Sequence, residues 1–539
     1  MYPIPFDPNL FRYPSRRNLV YGRNGMVGSA SPLASQAGLE ILKKGGNVVD
    51  AAIATAAALT VVEPSGNGIG GDCFCILHFE GKIYGLNASG AAPDLMTVDA
   101  IRAKGHSEIT KFGLDPVSVP GIPSGWAALS ERFGKLSLAE VLEPAAKIAE
   151  EGFPVASNVA RLWQRYYKIY SGVLKDYPVL QSWFDTFCPD GRPVGPGELF
   201  RSQGHANTLR EIGATNAESF YRGALAEAID AFSRKYGGFI RKEDLARHEV
   251  EWVEPLSINY RGYDVWELPP NSIGVMALEA LNILGQMELC GKDDVDTYHK
   301  QIEAMKLAFV DGLATLAEPK DMKVDLKQML STEYAKERAA LIGDEALMPE
   351  PGNLDQNSTV YLAAADKDGN MISYIQSCYT GFGSGSVVEG HGISLHNRGC
   401  QFTLEEGHPN QLKPRKRPFH TIIPGFLTKD GEPVGPFGVM GGPLQPQAHL
   451  QVVSSMVDFH LNPQDALDAP RWQWIKEKVV QVEPTMPLHI IEALMRKGHT
   501  IEVLNETIMM GRGQIILKDD KGVLCGGTEP RSDGYLAVW

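Results

Sequence analysis

The chain has 539 residues, 51 Lys and Arg against 65 Asp and Glu, a formal net charge of −14, and a composition 43% hydrophobic and 22% charged. Such a balance belongs to a globular chain with apolar residues enough for a sizeable core, and its length allows several domains or one large fold. A net negative field repels phosphate, so no nucleic-acid partner is expected, the one short basic candidate being Lys413 to Arg417.

The start, Met1-Tyr-Pro-Ile-Pro-Phe-Asp-Pro, places three prolines and an acid ahead of its first basic residue. A signal peptide has a basic head and an apolar run, so no export is expected. Ala51 to Val62, the longest apolar stretch, falls short of the roughly twenty residues of a membrane span and reads as a buried helix, so no membrane partner is expected. Seven scattered cysteines suit a reducing compartment better than a disulfide framework, which makes a cytoplasmic location the default.

Helix signals crowd the first third. Ser31-Pro32 reads as an N-cap with proline at the first helical position, Leu33, Ala37 and Ile41 share a face, and Gly45-Gly46 ends the run. Asn47 caps a second helix through Val62, and Ser137 with Glu140 forms a capping box that opens a helix through Ala149. Thr297 to Ala317 is helical by the spacing of Ile302, Met305, Phe309 and Leu313.

After about residue 340 the texture changes. Leu341 to Ser358 is polar and aperiodic, an exposed linker. Three strand pairs follow, each around an acidic, glycine-bearing turn: Thr359–Ala365 with Met371–Ser377, Ile422–Leu427 with Val434–Met440, and Gln514–Leu517 with Val523–Cys525. A helix-rich front and a hairpin-rich back are therefore expected.

Gly66-Asn-Gly68-Ile-Gly-Gly71 fits the dinucleotide pattern in letters only. A helix precedes it and a strand, Cys73 to Phe79, follows, the reverse of the required context, so a tight loop edging a pocket is expected. Cys73 and Cys75, or His391 and His396, lack metal-site spacing, and neither metal nor cofactor is expected. Lys413 to Arg417, with no interleaved aromatics, reads as a solvated loop.

Thr359 stands where the linker meets a strand. Cutting the Ser358-Thr359 bond would put a hydroxyl and a free α-amine on one residue, and an α-amine titrates near 8, low enough to accept the hydroxyl's proton at neutral pH. A β-branched residue opening a strand is the plainer alternative. Gly441-Gly442 lie between a strand and a helical run, where backbone N–H groups can face a developing oxyanion or simply make a turn.

At these residues the sequence resembles the γ-glutamyltransferase family of N-terminal-nucleophile hydrolases. The blocks run from SPLASQAGLEILKKGGNVVDAAIATAAALTVVEP and GIGGD (Ser31 to Asp72) to STVYLAAADKDGN, FGSG (Phe382 to Gly385), KRP (Lys416 to Pro418), GVMGGPLQPQ and EPRSDG (Glu529 to Gly534). The resemblance implies an α+β fold, a four-layer αββα sandwich. It implies a precursor that cleaves itself into a large subunit, 1–358, and a small subunit, 359–539, which stay associated; pairing of two such heterodimers is left open. Thr359 falls on the nucleophile, Ser377 on the assisting hydroxyl, and Gly441 and Gly442 on the oxyanion glycines.

Departures from the family pattern bear on the substrate. Ser89 stands where the family has a carboxylate-binding arginine, Gln401 where it has an amine-reading aspartate, Tyr379 where it has an asparagine, and His420-Thr421 where it has a serine pair. Each change removes or alters a polar contact to a γ-glutamyl group. Arg398 either supplies a replacement cation or forms an internal ion pair. Thr403 to Lys413 is short where many members carry a lid. The pattern looks closer to the acylase-like and oxamate-amidohydrolase-like branch, cleaving a small carboxylate-bearing amide. True γ-glutamyl hydrolysis or transfer, as on glutathione, is the second reading, and a catalytically silent binding member the third.

Overall fold

Alternation along the strand Val360–Asp366 sets the architecture in the computed structural model, which describes residues 2–7, 9–15, 17–349 and 360–539. Val360, Leu362 and Ala364 pack into a helical layer, while Tyr361, Ala363 and Ala365 pack against a second sheet. A strand buried on both faces needs a layer on each side.

The first sheet is antiparallel, in the order Tyr535–Val538, Gly25–Ser29, Val360–Asp366, Met371–Ser377, Asp72–Phe79, Lys82–Ala88 and Glu251–Val253. The second runs Val20–Gly22, Leu524–Thr528, Arg512–Lys518, Glu432–Met440, Gly425–Lys429, Tyr263–Glu267 and Leu256–Tyr260. Met26, Phe74, Phe426, Met440 and Ile516 fill the space between them. Helices Pro32–Lys43, Val48–Val62, Ile122–Phe133 and Leu138–Glu151 share a core with the first sheet. Gly274–Leu284, Val295–Thr315 and Leu444–Val457 do the same for the second. The result is the expected four-layer αββα sandwich. Each sheet takes strands from both before residue 350 and after residue 359.

Local signals translate closely. The Asn47 side chain accepts the N–H groups of Val49 and Asp50, and Asp50 accepts that of Asn47, a complete capping box at the head of a helix whose 15 residues are all buried. Ser137 and Glu140 form the second box, with the helix ending at Glu151. Ser31 occupies the expected N-cap position but makes no side-chain capping bond. The expected helix at 297–317 is Val295–Thr315, beginning two residues earlier behind the N-cap Asp294. All three strand pairs form. In the central one Asp366 Oδ1 accepts from Asp368 and Asn370 N–H, closing the turn, while Oδ2 accepts from Val48 N–H at 3.2 Å and ties it to a helix N-terminus.

The basic run meets its expectation only in part. Lys416 is 1% exposed and donates to the Pro409 carbonyl; Lys413 pairs with Asp321 at 2.7 Å, Arg415 with Asp94 at 2.6 Å, and Arg417 with Glu251 at 2.6 Å and Glu318 at 3.2 Å. Lys413, Pro414 and Arg415 are exposed, as expected of a solvated loop, whereas Lys416 is buried and Arg417 half-buried, and acids remote in sequence fasten the run. Among the described residues no helix is long and apolar enough to cross a membrane.

At Gly438 the two sheets approach closely: a Cβ there would lie 2.4 Å from the Tyr361 ring, itself buried. Gly438→Ala is expected to cost about 1–3 kcal/mol by overpacking, seen as a fall in Tm or denaturant midpoint; an unchanged midpoint would contradict this packing.

Candidate active site

The central hairpin delivers its open end to one corner of the sandwich. Val360 pairs with Gln376, and the next residue, Ser377, pairs with Asp72 on the neighbouring strand. Ser358 and Thr359 lie outside the described residues. Ser377 is fully buried and its Oγ accepts the Tyr379 N–H at 2.7 Å. The glycine loop lies directly against this corner: a Cβ on Gly71 would sit 2.5 Å from the Ser377 carbonyl and one on Gly70 2.4 Å from the Ser394 carbonyl. The 66–71 motif therefore serves close backbone approach, as its context suggested.

Past Ser377 the chain turns sharply. Tyr379 is a buried, non-glycine residue at φ +77°, a left-handed conformation that side chains rarely adopt and that surrounding contacts must hold. Its ring carries the Arg398 guanidinium at 4.2 Å from the centroid, and its hydroxyl accepts from Gln401 Nε2. Arg398 is wholly buried. Nη1 donates to Thr421 Oγ1 at 2.8 Å, whereas among the described residues Nε and Nη2 have no hydrogen-bond partner and Arg398 makes no ion pair. Burial pulls its pKa down to about 10, so it stays charged at neutral pH. Of the two expectations for Arg398, the internal ion pair is thus absent from this described region.

Beside Arg398 lies a buried carboxylate, Asp72. Oδ2 accepts from His420 Nε2 at 3.1 Å and lies 3.3 Å from His396 Nδ1, and Oδ1 accepts the Gly90 N–H at 3.3 Å. Burial alone would raise Asp72, but the two imidazoles outweigh it and hold it below the usual carboxylate range. Burial, reinforced by Arg398, pushes His420 down to about 3, leaving a neutral ring that donates one N–H. Ser89 holds no charge into the site. Its hydroxyl donates to Asn87 Oδ1 at 2.7 Å and accepts from Asn271 Nδ2 at 3.2 Å, in an amide network closed by the Asn87–Asn271 bond at 2.8 Å.

Gly441 and Gly442 end the strand Glu432–Met440 at φ +153° and +59°, conformations suited to glycine, and turn it into the helix Leu444–Val457. Their carbonyls accept the N–H groups of Leu444 and Gln445, while their own N–H groups donate to none of the described residues. Gln445 Oε1 accepts the Ile423 N–H at 3.0 Å, linking this corner to the segment bearing His420 and Thr421.

The structure thus gathers Ser377, Tyr379, Arg398, Gln401, His420 and Thr421 around one buried cation. Sequence reasoning missed Asp72 and His396 as the groups that organise this cluster. Asp72 was visible as the last letter of GIGGD, yet nothing local pairs it with a histidine 348 positions away.

An αββα sandwich with this corner defines the class of N-terminal-nucleophile hydrolases. The sequence profile of the gamma-glutamyltranspeptidase family matches residues 34–539, and the chain belongs to that family, one of amide hydrolases and acyltransferases. It is similar to the cephalosporin acylase of Bacillus halodurans, whose crystal structure superposes with a TM-score of 0.94 at 58% identity over 99% of either chain. It is 38% identical to the glutathione hydrolase-like YwrD proenzyme of Bacillus subtilis (strain 168) over 96% of this chain and 98% of that one. Identity to the oxamate amidohydrolase proenzyme of Klebsiella pneumoniae is 33%, over 95% and 98%. These names agree with the acylase-like branch.

Buried imidazoles make acid the weak side of this fold. Burial pushes His205 down to about 4 and His420 and His449 to about 3. Below about pH 6.5 the unfolded chain takes up protons that these folded sites refuse, so stability falls with pH, by at most about 1.4 kcal/mol per pH unit for each ring. Asp72, depressed, adds stability that is present above about pH 4 and lost only on further acidification. The urea midpoint is expected to drop between pH 7 and pH 5; a flat profile there would contradict the neutral, buried rings.

Proposed function

We propose that the chain is an autoprocessing amidohydrolase and acyltransferase acting on a small amide whose acyl part carries a carboxylate. Cleavage of the Ser358-Thr359 bond gives chains 1–358 and 359–539, which stay together because both sheets interleave strands from the two pieces. Thr359 Oγ attacks the amide carbonyl while its own α-amine takes the hydroxyl proton. The N–H groups of Gly441 and Gly442 receive the oxyanion, and Ser377 assists the nucleophile from the adjoining strand end. As the C–N bond breaks, the proton passes to the leaving amine; water or an amine acceptor then takes the acyl group from the ester.

The observation that carries the substrate assignment is Arg398, a buried guanidinium with Nε and Nη2 unpartnered. Leaving such donors unmet is costly, and a carboxylate accepts from both. Tyr379 and Thr421 hold the guanidinium, and Gln401 and His420 border the acyl group. The lack of charge at Ser89 and Gln401 argues for an acyl group without the γ-glutamyl α-ammonium. We place the activity in the cytoplasm, consistent with seven free cysteines.

Purified protein of 58.8 kDa is expected to split, in proportion to chain length, into pieces of about 39 and 20 kDa, the smaller beginning at Thr359. Thr359→Ala is expected to stay whole; wild type that stays whole on prolonged incubation at neutral pH would sink the mechanism. Arg398→Ala is expected to raise KM for the carboxylate-bearing amide by about 10- to 100-fold, from loss of a charge-assisted hydrogen bond, and an unchanged KM would remove its assigned role.

A further inference from the structure

A second polar cluster lies in the outer helical layer beside the second sheet. His299 and Glu303 are one turn apart on the helix Val295–Thr315 and so share a face, and His499 meets them from the segment leading into the strand Thr500–Val503. All three are buried, and their ligand atoms lie within 4.8 Å of one another. His299 Nδ1 is 2.8 Å from His499 Nε2, and Glu303 Oε1 is 3.7 Å from the same nitrogen.

The surroundings orient His299 and Glu303 inward. His299 Nε2 donates to the Gly343 carbonyl at 2.9 Å, which leaves the Nδ1 lone pair facing His499. Glu303 Oε2 accepts the Leu347 N–H at 3.0 Å, which leaves Oε1 facing the cluster. Ligating histidines are characteristically held this way, with the far N–H on a carbonyl. His499 Nδ1 is buried and has no hydrogen-bond partner among the described residues.

We propose that His299 Nδ1, His499 Nε2 and Glu303 Oε1 bind a divalent zinc-class ion, with water in the remaining position. Two imidazoles and one carboxylate are a recognised zinc donor set, and tetrahedral ligands about 2.0 Å from zinc lie about 3.3 Å apart, so the two imidazole nitrogens need only part slightly. His499 turns its Nε2 lone pair to the ion as the proton moves to the vacant Nδ1, and the ring stays neutral. Lys306 Nζ, which holds Glu303 Oε1 at 2.7 Å, is the built-in competitor; it withdraws to the Leu347 carbonyl, already 3.3 Å away. On the processing proposed above, His299 and Glu303 belong to the large piece and His499 to the small, so the ion cross-links the two.

The test uses purified processed protein, stripped with chelator, loaded with zinc and passed through gel filtration before metal analysis. Wild type is expected to retain one zinc per pair of large and small pieces and to gain Tm in zinc; His499→Gln and Glu303→Gln are expected to retain less than a tenth as much and to gain nothing. Lys306→Met, freed of the competing cation, is expected to bind more tightly than wild type. Wild type that retains no zinc, or both glutamine variants retaining as much as wild type, overturns the site. Retention is read apart from chain splitting, so failure of this site is distinct from failure of the processing reaction.

Discussion

A carboxylate taken fully out of water must find compensating partners, and Asp72 finds them on three separate stretches of chain. Its position is fixed at the start of a central strand, directly across from Ser377. From there it fastens the 89–92 segment through Gly90, the His396–Arg398 segment through His396, and the His420–Thr421 segment through His420. Two of those segments then place Arg398 and Thr421 within hydrogen-bond distance. Asp72 is a positioning residue: it touches His396 and His420, chain neighbours of Arg398 and Thr421, and without it three loops lose a common anchor.

Arg398 is the counterpart. Its charge survives burial because Tyr379 offers a ring face, Thr421 offers an oxygen and Asp72 supplies a nearby negative field. Tyr379 accepts a strained backbone to present that face, the kind of local cost that a binding corner sustains on a rigid scaffold. On the proposed function, Arg398 is the cation that Ser89 does not provide. On the proposed function, one buried cation and the neutral amide network at Asn87, Ser89 and Asn271 would favour anionic over zwitterionic acyl groups.

Much of the fold was legible because its signals are local. Asn47 with Asp50 and Ser137 with Glu140 cap helices through bonds spanning a few residues, and Asp366 to Asn370 closes a turn by itself. The glycines of the 66–71 loop and of 441–442 were read correctly as corners because glycine has few other uses at strand ends. What escaped notice was long-range charge pairing. Lys416 reads as a surface lysine until Asp321 closes on it, and Asp72, His396 and His420 meet only once the sandwich has formed. The cluster at His299, Glu303 and His499 escaped for the same reason, since its third member lies 200 residues from its first.

The reading of Arg398 as the carboxylate partner is tested most directly by a double-mutant cycle on substrate and enzyme. kcat/KM is measured for an amide whose acyl part ends in a carboxylate and for its carboxamide analogue, each with wild type and with Arg398→Met. A direct charge-assisted contact predicts a coupling of about 1.5–3 kcal/mol, with wild type preferring the carboxylate and the variant largely indifferent. A coupling near zero, with both enzymes keeping the same preference, would contradict it.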